Sequence, residues 1–254
     1  MSITGIRTRY LDLLEKVLLD QIYRKDPHET RWRTLALRLR HPYLTRRGTP
    51  AWPPRALTMI GAGPLHHLRH LVERTILENI PGDYIETGVW RGGACILIKG
   101  VLVAHGIGDR RVYVADTFAG LPRPDARYPA DKRDRLHAFR ALAVSEDEVR
   151  QNFAACGLLD DDVIFLKGLF EDSLPPLSDN KFALIRLDGD MYGSTISALA
   201  SLYDQVSPSG FIVVDDYGGL RNCAMAVHDF LDRRGLRVQI QSAGPSCVWW
   251  QKDA

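Results

Sequence analysis

Short apolar runs alternate with helix-spaced stretches from residue 83 to the end of the chain, and that alternation limits the fold more than any other feature. The runs fall at 83–86, 111–115, 163–166, 182–187 and 211–214. Helical spacing separates most of them, at 94–104, 146–156 and 193–205, and resumes at 221–234. Strands alternating with helices build a parallel sheet covered on both faces. SPSG (207–210) reads as a turn before the fifth strand. Two last runs, 236–240 and 247–251, are joined only by a short link around SAGP. That link is too short for a helical crossover, so these two strands pair as a hairpin and one runs antiparallel to the rest. The expectation is an α/β chain with a mostly parallel seven-stranded sheet and an antiparallel last strand.

The first 56 residues read differently. Tyr10, Leu13, Leu14, Val17, Leu18 and Ile22 give an apolar stripe on a helix over 8–22, to be covered by its own domain or by another subunit. Segment 24–56 carries eight basic residues between Arg24 and Arg47 and is broken by five prolines. It reads as an irregular connection, with a mobile substrate-binding arm as the sharper alternative. A further helix covers 64–79, with Pro64 at its first helical position. The domain expectation is an N-terminal helical arm and lid over 1–56, then one α/β domain over 57–254.

Composition narrows the classes. With 33 basic and 31 acidic residues the net charge is +2, so bulk charge does not recruit this chain to nucleic acid or an anionic membrane. Four widely spaced cysteines (95, 156, 223, 247) form no CxxC motif and read as buried, reduced thiols of a cytoplasmic protein. There is neither an N-terminal apolar h-region nor an apolar run of about 18 residues, so neither a signal peptide nor a membrane span is expected.

The chemistry-bearing residues gather where strands end, which is where ligands bind in open α/β sheets. The first strand ends in Glu86-Thr87-Gly88-Val89-Trp90-Arg91-Gly92-Gly93. This turn is GxxxGG rather than GxGxxG, so it does not support a dinucleotide. Glu86 beside it would repel a pyrophosphate but suits the cationic S-adenosylmethionine. Asp116 ends the second strand, where a carboxylate can accept both ribose hydroxyls. Phe170, in GLFED after the third strand, can cover a purine face or belong to the core.

Four acids end the fourth and fifth strands: Asp188 and Asp190 in LIRLDGDMYG, Asp215 and Asp216 in FIVVDDYG. Adjacent strands lie about 4.8 Å apart, and carboxylates gathered at an apolar rim need a compensating cation. An oxygen-only ligand set favours Mg²⁺ over Zn²⁺. Helix caps, or salt bridges to Arg186 or Arg221, are the alternatives. Asp188, Asp215 and Asp216 are read as metal ligands and Asp190 as the general base, with the roles of Asp188 and Asp190 open to exchange.

ETGVWRGGA, VADTFAGLP, LIRLDGDMYGST and VVDDYG together resemble the macrocin O-methyltransferase (TylF-like) family, as do TMIG at 58–61 and GLLDDDVIFLKG at 157–168. The resemblance covers roughly residues 57–251. It implies the Rossmann-like class I S-adenosylmethionine-dependent methyltransferase fold. It further implies Mg²⁺-dependent methylation of a sugar hydroxyl on a glycosylated bacterial natural product. Cofactor contacts are implied at Thr58, Met59, Glu86, Thr87, Gly88, Val89, Trp90, Asp116, Ser145, Gly168 and Phe170. Homodimers or higher assemblies are implied too, as are lids from the N-terminal arm and from the insertion near 122–144. No family motif is recognised in 24–56, and the insertion is idiosyncratic, so the acceptor is not identified. A catechol-type O-methyltransferase with an aromatic slot from Trp90, Tyr192 and Tyr217 is the competing enzyme reading. An RNA-binding or RNA-modifying protein using the basic arm is the competing class, and a cofactor-binding scaffold without catalysis is a third.

Overall fold

A computed structural model describes residues 2–22 and 55–253; the basic arm and most of the 24–56 segment lie outside the described residues. Seven strands form one sheet: β1 (Asp83–Thr87), β2 (Val112–Asp116), β3 (Val163–Lys167), β4 (Phe182–Leu187), β5 (Val206–Val214), β6 (Gln241–Ser242) and β7 (Val248–Gln251). Their order is β3-β2-β1-β4-β5-β7-β6. The first five are parallel, and β7 runs antiparallel to both β5 and β6. The expected mostly parallel sheet with a terminal hairpin is therefore present.

Helices α1 (Ile3–Leu18), α2 (Ala62–Leu77), α3 (Gly93–His105) and α4 (Glu146–Ala155) contribute to the apolar cluster on one face. Helices α5 (Phe170–Ser173), α6 (Tyr192–Leu202) and α7 (Arg221–Arg233) contribute to that on the other. β1 has β2 on one side and β4 on the other. The chain thus reverses its direction of winding at β1/β4, and the crevice this opens at the strands' carboxyl ends is the natural ligand site of such a sheet.

Four local expectations are corrected. SPSG is no turn but part of β5: between the pairs Phe182–Val206 and Leu184–Phe211 the longer segment bulges, with Ser209 at φ 62°. Turn-forming residues here bend a strand without ending it. In the last hairpin only Gln241 and Ser242 pair with β7; Leu236, Val238 and Ile240 pack on the core without ladder bonds. Pro64 is the third residue of α2, where the N–H it lacks would be unpaired anyway. α1 starts at Ile3, capped by the Ser2 hydroxyl, which accepts from the Gly5 N–H at 3.2 Å.

The buried face of α1 also differs from the expected stripe. Leu11, Leu14 and Leu18 pack into the chain's own core, whereas Ile3, Ile6, Tyr10 and Leu13 stay exposed. Gly100 on α3 makes the room, because a Cβ there would overlap Leu14. All four cysteines are unpaired; Cys156 is half-buried and the other three are buried. No helix among the described residues is long and apolar enough to cross a membrane.

Candidate active site

The sheet ladder continues past the strand ends and sets the loops side by side. The Gly88 N–H donates to the Ala115 carbonyl (2.8 Å), Asp188 N–H to Thr87 (2.8 Å) and Asp215 N–H to Leu187 (2.9 Å). Side chains alternate across a sheet, so Glu86, Arg186, Asp188, Val213 and Asp215 share one face. Glu86 is the direct cross-strand neighbour of Arg186, and Arg186 of Val213.

Arg186 is 1% exposed and sits among three acids. It donates to Glu86, to Asp188 at 2.7 Å, and ion-pairs with Asp215 at 2.7 Å. Burial opposes its charge, yet Asp188, Asp215 and Glu86 hold it protonated, well above the ordinary arginine value. The minor salt-bridge alternative is thus partly realised. Among the described residues, Arg186 is the cation that pairs with these acids, and it reaches Glu86, Asp188 and Asp215.

Burial and mutual repulsion push Asp190, Asp215 and Asp216 up. The Asp215 carboxyl rises to about 7 through burial and the Asp188 charge, against the pull of Arg186. Burial first, then Asp188 and Asp215, lifts Asp190 well above the carboxylate range. Asp216 is lifted in the same way by burial and by Asp190. Asp188, Asp215 and Asp216 each offer one oxygen, all within 4.8 Å of one another. Three hard oxygen donors at that spacing fit a divalent cation such as Mg²⁺. Asp190 stands at φ 58°, and its N–H donates to Asp216 at 3.3 Å.

A cavity of about 600 Å³ opens beside these acids. Met59, Gly88, Trp90, Asp116, Phe170, Asp188 and Asp190 line it, so the structure brings together seven of the residues singled out from sequence. Asp116 spans the glycine turn, accepting from the N–H groups of Val89 (2.8 Å) and Phe118 (2.9 Å). Thr58, Glu86, Thr87, Val89, Ser145 and Gly168 are not at that wall. Glu86, 2% exposed, accepts from Cys95 Sγ at 2.9 Å in addition to Arg186. The Ser145 hydroxyl caps α4 by accepting from the Glu148 N–H at 3.2 Å.

Leu121, just before the insertion, and Pro122 and Leu142 within it also line the cavity, and no periodicity in the sequence marked them. The Trp90 indole N–H ties the insertion to the glycine turn by donating to the Ala141 carbonyl at 2.8 Å. The proposed aromatic slot does not form. Trp90 faces the cavity, but the Tyr192 and Tyr217 hydroxyls engage Asp229 and His228, and neither ring lines it.

Gly88 is where the two motifs touch. It has φ 87°, and a Cβ there would overlap the Asp188 carbonyl oxygen. Gly88→Ala is therefore expected to push the β4 end away and to cost about 1–3 kcal/mol through overpacking and strain. Urea unfolding and donor titration check this; wild-type values for both would show that the turn and the acid loop are not in contact.

Residues 7–252 match the family described as Macrocin-O-methyltransferase (TylF). The chain is 43% identical over 98% of its length to a Streptomyces olivaceus protein, 94% of which is covered: 8-demethyl-8-(2,3-dimethoxy-alpha-L-rhamnosyl)-tetracenomycin-C 4'-O-methyltransferase. It is 39% identical over 99% of its length to mycinamicin III 3''-O-methyltransferase of Micromonospora griseorubida, covering 98% of that protein. Among solved structures, the O-methyltransferase NovP superposes with a TM-score of 0.86 at 39% identity, over 98% of this chain and 100% of that one.

Proposed function

We propose that this chain, which belongs to the macrocin O-methyltransferase (TylF) family and is an O-methyltransferase, transfers the methyl group of S-adenosylmethionine to a sugar hydroxyl of a glycosylated bacterial natural product, using Mg²⁺ held by Asp188, Asp215 and Asp216. The observation that carries this reading is the triad of carboxylate oxygens within 4.8 Å, with Asp188 also at the wall of the cavity that begins at the glycine turn. The relatives support the acceptor class, since the tetracenomycin enzyme is named for a rhamnosyl-bearing substrate.

When bound, the ion supplies Lewis acidity toward the acceptor hydroxyl. The protein's own residues do the rest. Asp190 takes the hydroxyl proton on a side-chain oxygen. Asp116, at the cavity wall, accepts hydrogen bonds from the ribose, while Trp90, Met59 and Phe170 cover the donor and exclude water. Arg186 holds Asp188 and Asp215 at a fixed distance from Glu86 while offsetting part of their charge.

Chelation is expected to abolish turnover and Mg²⁺ to restore it, read by mass spectrometry as one added methyl across a panel of glycosylated natural products. Undiminished turnover in chelator would remove the metal from the reading. Methylation of free catechols but not of glycosides would replace the acceptor class.

A further inference from the structure

Neither helix that follows an acid motif caps itself. α6 begins after Met191 and α7 after Leu220, and neither residue provides a side-chain cap. Their first N–H groups need acceptors from elsewhere. Asp131, in the insertion, meets that need for α6, and at α7 it holds a first-turn side chain instead of the backbone. It is 1% exposed, and one of its oxygens accepts from the Tyr192 N–H (2.8 Å) and from the Asn222 side-chain amide (2.8 Å). The other accepts from the Gly193 N–H at 2.8 Å. Tyr192 and Gly193 open α6, two and three residues past Asp190; Asn222 lies in the first turn of α7, six residues past Asp216. The Tyr128 ring closes over Gly193, where a Cβ would come within 2.6 Å of it.

We infer that Asp131 is a positioning residue: a latch by which the insertion at 122–144 sets the spacing between the Asp188–Asp190 loop and the Asp215–Asp216 loop. A local cap at position 191 would satisfy α6 equally well. A carboxylate sixty residues upstream instead makes the start of α6, and through the Asn222 side chain the first turn of α7, depend on how the insertion is docked. Since Pro122 and Leu142 of that segment line the cavity, closure over the acceptor and assembly of the acid cluster become one event.

The inference rests on the Mg²⁺ reading above, so the test separates the two. Full-length wild type, Asp131→Asn and the milder Asn222→Ala are titrated with Mg²⁺ by calorimetry. Amide hydrogen exchange is followed without metal. Lys99→Met is the control for general destabilisation; Lys99 pairs with Asp160 and Asp162 before β3, at the opposite end of the sheet from the acids. Both latch variants are expected to weaken Mg²⁺ binding about tenfold, the scale for losing a partner behind metal ligands. Both should speed exchange at 192–194 and at 221–224, whereas Lys99→Met leaves Mg²⁺ affinity unchanged. Wild-type Mg²⁺ affinity in both latch variants would overturn the latch. No specific Mg²⁺ binding in the wild type would overturn the metal reading; the exchange data then decide, and unaltered protection at either helix start overturns the latch.

Discussion

Asp190→Asn is expected to lower turnover by about 10²- to 10⁴-fold, the range for losing a general base, while S-adenosylmethionine binding stays intact. Asparagine is the right replacement for two reasons. Asp190 sits at φ 58°, which asparagine tolerates and alanine does not. Its N–H bond to Asp216 does not involve the side chain, so the loop survives the change. The charge and the proton-accepting oxygen disappear; the shape remains. Single-turnover methylation together with donor calorimetry separates the two effects. Turnover near that of the wild type would transfer the base role to Asp188, whose carboxylate also faces the cavity.

Arg186→Met should be the most damaging change to stability. Removing one partner of a buried ion pair costs about 3–5 kcal/mol, because the remaining charge is left uncompensated. Here three acids lose their shared cation. A typical domain has only about 5–15 kcal/mol in total. The loss should also depend on pH. Burial raises the Glu86 and Asp215 carboxyls, the latter to about 7. Groups that hold protons more tightly when folded contribute stability that is fully present at acidic pH and is lost as pH rises through the folded value. Without Arg186 that value climbs further, so the variant should be closest to wild type near pH 5 and furthest from it near pH 8. Urea denaturation of the metal-free protein at both values measures this. A pH-independent difference would mean that the arginine acts through packing and not through charge.

The arginine also shows where sequence reasoning stops. LIRLDGD carries a charged residue inside an apolar strand, and a buried charge needs a partner. The motif shows that a partner must exist; it does not show that the partner is Glu86, one hundred residues earlier. That follows from β1 and β4 being neighbours. Glu86 adjoins the glycine turn in sequence, and the cross-strand pairing sets it beside Arg186. The N-terminal helix is a similar case. Its apolar residues were legible, but two adjacent stripes compete, and docking against Gly100 chose Leu11, Leu14 and Leu18.

Periodicity, turn chemistry and the placement of acids just beyond apolar runs are local properties, so the strands, the glycine turn and the four aspartates could be read from the chain alone. Strand order, the pairing of Arg186 with three acids and the reach of Asp131 to two helix starts join residues that are far apart in sequence. Such contacts leave no periodic trace, because each depends on which elements the packed sheet sets side by side.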